Sequence, residues 1–331
     1  MGILKKLNRN RFLLITGNIF AYALIIFLWV NLNTPKTKIP VSTLSPHITM
    51  RSIELKVNDM KSMENFYTKL IGMQVLSKNK NSESLGYDGK SILVLDYTPE
   101  LNYPSLTDPG LDQIAIVFSS RSGLAKTLER VINSNPSLYI GGTDRGAVGE
   151  AFYVADPQGN SLELYYDTNP ATWPRTVNGN IEGKYMPIIA DQYIRAYSGL
   201  EGSNSMELGH LQIRIGDLQQ GKKFYLQTLG FYPIPQITPS NSVFMSDGFY
   251  HHDLVINQAQ GYDGDKIDKY LGLKGFSFNV ENYSDLNRLK SRLLEENINY
   301  SQKGNLLTFK DPWGLIINVG VTNPSIFNLP L

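Results

Sequence analysis

Three of the four histidines in this 331-residue chain, His210, His251 and His252, fall in its second half; the fourth, His47, lies far upstream. There is no cysteine. That excludes disulfides, thiolate zinc sites, iron–sulfur clusters and cysteine nucleophiles, and leaves imidazole, carboxylate or amide oxygen as the donors for any metal. Two imidazoles and one carboxylate, with coordination positions left open, suit non-haem Fe(II) or Mn(II). An ion held that way chelates two adjacent substrate oxygens as Lewis acid and template. Lys and Arg number 31 against 30 Asp and Glu, a net charge of +1, so the chain carries no electrostatic footprint for nucleic acid. With 42% hydrophobic and 11% aromatic residues it can build a core, and its length suits two domains.

The elements that must position such donors are repeated. Ser52–Gly72 and His210–Gly230 share Asp59/Asp217, Phe66-Tyr67/Phe224-Tyr225 and Gly72/Gly230 at one offset of 158. The strings ADPQGNSLELYY (155–166) and KDPWGLIINVGV (310–321) match at an offset of 155. Two independent markers at nearly equal spacing indicate a tandem duplication. Each half divides again. Alternating apolar runs at 52–57, 113–118, 210–215 and 275–280 predict strands, and helical stretches follow at 60–71, 121–134, 218–229 and 284–297. Asp59 and Asp217 are placed to cap the helices after them. The Phe-Tyr pairs read as core packing against the sheets. Short strands broken by Gly turns complete four βαβββ units.

Residues 12–32 (FLLITGNIFAYALIIFLWVNL) carry no charge, and at about 1.5 Å per residue a helix of that length spans the hydrocarbon core of a bilayer. Lys5, Lys6, Arg9 and Arg11 precede it against Lys36 and Lys38 after it, which orients the N-terminus to the cytoplasm. The expectation is a retained single-pass anchor with the folded part outside the cytoplasm; a cleaved signal peptide is the alternative.

The strings GLDQIAIVFSSRSGLA (110–125), TDRGAVGEAFYVADPQGNSLELYYD (143–167), GHLQIRI (209–215) and YHHDLVIN (250–257) resemble the vicinal oxygen chelate superfamily, in particular its four-module catechol-2,3-dioxygenase-like group. The resemblance covers roughly residues 50–320. It implies an α+β fold of four βαβββ modules paired into cupped mixed sheets, here preceded by one transmembrane helix. Family ligands come from the start of the first strand and the middle of the fourth strand of each module. The matching positions are Ser52, Gln113, His210 and Gly275, and, counting from each turn glycine, Leu93, Glu163, His252 and Asn318. Pairing the second module with the third gives a metal set of Gln113, Glu163, His210 and His252; the first and fourth give a set with almost no donors. Strand alternation lets only one of His251 and His252 face the cup. His251 is expected to hydrogen-bond a ligand, Tyr250 to orient substrate or deliver a proton, and Arg145 to clamp an anionic substrate oxygen where relatives carry His.

The resulting organisation is a basic segment (1–11), the anchor (12–32), a linker (33–49), a first two-module domain (50–167), a less regular linker (168–205), a second two-module domain (206–322) and a tail (323–331). The function expected is metal-dependent extradiol ring cleavage of a small aromatic or vicinal-oxygen substrate, with Fe(II), or else Mn(II), Zn or Ni, as the cofactor. Two alternatives stay open. Gln113 resembles the ligand set of some glyoxalase-type lyases and isomerases, and the losses at 113 and 145 suit a non-catalytic binding domain. The partners expected are substrate and membrane, not nucleic acid, and a homo-oligomer stays open.

Overall fold

The structure, a computed structural model, describes residues 48–176, 181–234, 241–246, 252–262, 264 and 266–322. The expected anchor at 12–32, Tyr250 and His251 lie outside the described residues. Among those described, no helix is long and apolar enough to cross a membrane.

Four modules follow one another as expected from the repeats. The first is β1 (Thr49–Val57), helix α1 (Met60–Asn65), β2 (Gln74–Lys78), β3 (Ser82–Tyr87) and β4 (Lys90–Tyr97). The second is β5 (Gly110–Phe118), α2 (Arg121–Ser134), β6 (Tyr139–Asp144), β7 (Gly149–Ala155) and β8 (Ser161–Asp167). The stretch expected to be an irregular linker carries a short strand β9 (Met186–Pro187), which extends a sheet beside β6, and helix α3 (Ala190–Tyr197), which packs on α2. The third module has β10 (Met206–Ile215), α4 (Leu218–Lys222), β11 (Tyr232–Pro233), β12 (Ser242–Ser246) and β13 (Leu254–Gln258). The fourth has β14 (Gly272–Val280), α5 (Tyr283–Glu295), β15 (Tyr300–Lys303), β16 (Leu306–Lys310) and β17 (Ile316–Val321).

Asp59 accepts the Ser62 N–H at 3.0 Å and Asp217 the Gln220 N–H at 2.6 Å, so both expected caps form. Beyond α1 and α4 the chain widens into π-helical turns, Phe66–Ile71 and Lys223–Leu229, each ended by a left-handed glycine, Gly72 (φ 98°) or Gly230 (φ 94°). The wider turn lets two adjacent rings, Phe66 and Tyr67 or Phe224 and Tyr225, both point into the protein.

Within each module the first and fourth strands run parallel. The modules then join across antiparallel seams, β1 with β14 and β5 with β10. One sheet has eight strands in the order β15-β16-β17-β14-β1-β4-β3-β2; the other has nine, β11-β12-β13-β10-β5-β8-β7-β6-β9. The halves drawn at 50–167 and 206–322 are therefore not separate sheets. Each sheet takes one module from each half, second with third and first with fourth. The first strands begin three or four residues earlier than the apolar runs suggested, because those residues pair across the seams.

One face of each sheet carries the apolar alternation: Ile53, Leu55 and Val57 on β1, Ile114 and Ile116 on β5, Leu211 and Ile213 on β10, Phe276 and Phe278 on β14, all essentially inaccessible to water. These residues join the buried positions of the helices, such as Leu124, Leu128, Leu286 and Leu289, in one continuous core. Burial of that apolar area is the main drive for the fold.

The two sheets are also tied by a pair of duplicated polar contacts. Tyr67 of the first module donates its hydroxyl to Asp156 Oδ2 of the second at 3.0 Å, and Tyr225 of the third donates to Asp311 Oδ2 of the fourth at 2.9 Å. The other oxygen of each carboxylate accepts backbone N–H groups of its own DPxG turn, Gln158 and Asn160 at 2.9 Å each, Trp313 at 2.9 Å and Leu315 at 2.8 Å. Beside them Arg130 caps the Leu70 and Ile71 carbonyls, and Arg292 those of Thr228 and Leu229. The tyrosines thus do more than the packing expected of them. Because the acceptor is a buried carboxylate, Tyr67→Phe and Tyr225→Phe should each lower unfolding free energy by about 1.5–3 kcal/mol, read by denaturant titration.

Burial pushes the Asp311 carboxyl from its ordinary 3.8 up to about 6 despite its hydrogen bonds. Between those values the folded chain holds a proton that the unfolded chain releases, so stability falls as pH rises from about 4 to about 6 and levels off above. The window corresponds to about 3 kcal/mol. Chemical denaturation across pH 4–7 should show that negative slope in the natural protein and a weaker one in Asp311→Asn.

Candidate metal centre

Side chains on the other face of the nine-stranded sheet follow from register. Across the β5–β10 seam Gln113 opposes Gln212 and Ala115 opposes His210, with a register shift at Gly209. On the far side of β5, Ala115 pairs with Glu163 of β8, and Glu163 in turn with Tyr153 of β7. Alternation therefore puts Gln113, Ala115, Tyr153, Glu163, Tyr165, His210 and Gln212 on one face, away from the apolar core. Ala115 and Ala151 keep the floor low between the larger side chains, with Tyr165 packed on them.

The centre of this face is a buried acid shared by two bases. Glu163 Oε2 lies 3.4 Å from His210 Nε2, and Glu163 Oε1 accepts from Arg145 Nη1, also at 3.4 Å. His210 is wholly inaccessible and the Glu163 side chain nearly so. The Arg145 guanidinium also donates from Nη2 to Asp167 Oδ1 at 2.9 Å and stacks over the Tyr165 ring, 5.0 Å from its centroid. It is aimed by the tight Asp144-Arg145-Gly146 turn: the Gly146 N–H (φ 65°) bonds Asp144 Oδ1 at 2.7 Å, and the Arg145 N–H bonds the Gly149 carbonyl at 2.8 Å.

His252 reaches the same place by another route. Its ring centroid is 4.2 Å from that of His210, and Phe244 meets it edge-on at 5.1 Å. It does not occupy the fourth-strand position expected of it. Leu254 pairs with Leu211 and Val255 with Gln212, so Val255 is the register counterpart of Glu163 and His252 stands before β13. The same register makes Val94, not Leu93, the counterpart in the first module. Counting from the turn glycine fails in both cases because the turns differ in length. Gln113 is placed as the counterpart of His210, but its Oε1 accepts from Gln212 Nε2 at 2.9 Å and its amide reaches Ser161 Oγ at 3.5 Å.

Across the other seam the donor-poor expectation can be read directly. Ser52 and Ser277 hydroxyls bond each other at 2.7 Å, Asn318 accepts from Thr308 at 2.7 Å, and a side chain at Gly275 would run into the Ile316 carbonyl at 2.5 Å. Leu93 belongs to the core.

Two ligands bonded at about 2.1 Å to one ion stand roughly 3.0–3.4 Å apart at octahedral to tetrahedral angles. The Glu163–His210 separation meets that spacing. Among the described residues no group of three His, Cys, Asp or Glu side chains is gathered so as to hold a metal ion. The donors thus fit a divalent ion in chemistry and in the spacing of one pair, with His252 the adjoining imidazole and Gln113 directed to Gln212.

Residues 207–319 match the model of the Glyoxalase/Bleomycin resistance protein/Dioxygenase superfamily. The chain is 29% identical over 272 residues to catechol-2,3-dioxygenase of Bacillus subtilis, covering 80% of this chain and 92% of that protein. Both matches support the resemblance to the vicinal oxygen chelate superfamily that the sequence strings carry. Solved structures agree on the fold. A Bacillus subtilis protein described only provisionally as a dioxygenase superposes with a TM-score of 0.57 at 11% identity, over 86% of this chain and 87% of that one. Glyoxalase I from Zea mays superposes with 0.51 at 16% identity, over 83% and 92%.

Within this fold, Tyr153, Tyr165, Asp167 and Gln212 join the site without having been singled out in the sequence. Strand alternation outward from Glu163 would have found Tyr165 and Asp167; Tyr153 and Gln212 needed the cross-strand register. Burial, with Glu163 nearby, pushes the Tyr153 phenol above its usual 10, so it stays a proton-bearing donor at neutral pH. Gly209 admits Tyr165 to the centre: an added Cβ would meet the Tyr165 hydroxyl at 2.0 Å and ring carbons at 2.7 Å. Gly209→Ala should therefore cost about 1–3 kcal/mol, and combined with Tyr165→Ala less than the sum of the two single changes. Denaturant titration of the three variants checks this.

Proposed function

We propose that the protein is a metal-dependent enzyme of the extradiol-dioxygenase type, with Glu163 and His210 holding a divalent ion and His252 completing the site. The observation that carries this reading is the 3.4 Å approach of a carboxylate from one half of the chain to an imidazole from the other, on a buried face. The identity to a catechol-2,3-dioxygenase supports a small aromatic substrate with two adjacent oxygens, and a divalent metal such as Fe(II), Mn(II) or Zn fits that chemistry. A bound ion would supply Lewis acidity and a template for those two oxygens. The chain's own residues do the rest. Tyr165, Ala115 and Ala151 form an apolar wall that excludes water, Tyr153 offers a phenolic proton to a substrate oxygen, and the Gln113–Gln212 amides can exchange their mutual bond for bonds to polar substituents. Arg145, expected from the sequence to clamp an anionic substrate oxygen, meets Glu163 and Asp167.

A second reading, a binding domain without turnover, is favoured by the Arg145 contact with Glu163 and by the absence of a gathered three-donor group among the described residues. Gln113, whose identity pointed to glyoxalase chemistry, directs its oxygen at Gln212. Anaerobic loading of the purified full-length protein with Fe(II), followed by oxygen and catechol, should give a coloured ring-fission product. Glu163→Ala should abolish stoichiometric metal and turnover, and His210→Ala should weaken metal binding at least a hundredfold. Metal bound with no product supports the binding domain. Metal retained in a folded Glu163→Ala protein would overturn the assignment of the site.

A further inference from the structure

Arg145 is buried with two acids, Glu163 and Asp167. The Arg145 side chain is 8% exposed, those of Glu163 and Asp167 7% each. Its two terminal nitrogens are divided between them, 3.4 Å from Glu163 Oε1 and 2.9 Å from Asp167 Oδ1. The ring of Tyr165 carries the guanidinium from below, and the Arg145–Gly149 backbone bond fixes where the side chain starts. A positive charge in a low-dielectric setting is thus built into the outer side of the carboxylate that faces His210.

We infer that Arg145 is an internal competitor for the metal: its guanidinium neutralises Glu163 in the metal-free protein and opposes the charge of an entering divalent ion, while Asp167 draws it off the shared carboxylate. This rests on the proposed metal role of Glu163 and adds what sets the affinity of that site. The longer contact is the one to Glu163 and the shorter the one to Asp167, so the arrangement is biased towards release of the ligand oxygen. Two opposite effects follow. Removing the guanidinium charge strengthens metal binding, and removing the Asp167 charge takes away an acid that competes with Glu163 for Arg145 and weakens it. A residue that only held the turn in place would lower stability in both variants without moving affinity in opposite directions.

The test is titration of the purified, metal-free, full-length protein with Mn(II), by calorimetry and by thermal unfolding with and without the ion. Arg145→Gln should bind Mn(II) at least tenfold more tightly than the natural protein. It should melt lower without metal, where Glu163 and Asp167 lose their buried counter-charge, and gain more on adding metal. Asp167→Asn should bind at least threefold more weakly, and it decides the matter if Arg145→Gln does not fold. Mn(II) bound by Arg145→Gln and not by the natural protein would also support the inference. Equal affinity in all three proteins, still lost in Glu163→Gln, would overturn the inference while leaving the metal site in place. No binding in any of them would overturn both.

Discussion

The antiparallel seam between Gly110–Phe118 and Met206–Ile215 is the constraint from which the centre of this protein follows. It joins residues about a hundred positions apart and fixes which side chains can meet. Once Gln113 opposes Gln212 and Ala115 opposes His210, the parallel partner β8 has no choice but to bring Glu163 alongside Ala115. A slip of one residue would turn His210 into the core and Leu211 out of it. The apolar faces of both strands, Ile114 and Ile116 against Leu211 and Ile213, hold the register by being fully buried. A polar meeting point is thus located by hydrophobic burial on the opposite side of the same strands.

The seam alone does not close the molecule. The Tyr67–Asp156 and Tyr225–Asp311 contacts run between the sheets, each within one half of the chain, whereas the seams run between halves. Every module is therefore tied to one neighbour by strand pairing and to another by a buried hydroxyl–carboxylate bond. Burial raises the pKa of both carboxyls, a cost the hydrogen bonds only partly offset, and the tyrosines are held far from ionisation. Such bonds contribute specificity of arrangement as much as net stability.

The two seams have diverged from a common plan. Around β5–β10 the polar face ends in an acid between an arginine and a histidine. Around β1–β14 the corresponding face carries a Ser52–Ser277 bond and Lys274 between Glu54 (3.3 Å) and Asp96 (2.9 Å). Lys56, buried beside them and bonded to the Ile267 carbonyl, is lowered to about 8 by desolvation. Charges there are matched with one another on a half-exposed surface, where ion pairs are weakly coupled to the rest of the structure. At Glu163 the same kind of pairing lies in the interior, where exchanging one cation for another has large consequences.

Local pattern carried the repeats, the strands and helices and the Asp59 and Asp217 caps, because each depends on residues within a turn or two of each other. Duplication of Gln113 and His210 at matching strand positions was legible for the same reason. Turn lengths were not, and so His252 was assigned to a strand position that Val255 holds, and Leu93 to one that Val94 holds. Nor could the sequence show that Arg145 would turn inward to Glu163 and Asp167, that Gln113 would meet Gln212, or that the Phe-Tyr pairs would reach a carboxylate in the next module. Those outcomes turn on which buried charge lies nearest across 18 to 99 residues of chain, and only the closed tertiary structure sets those distances.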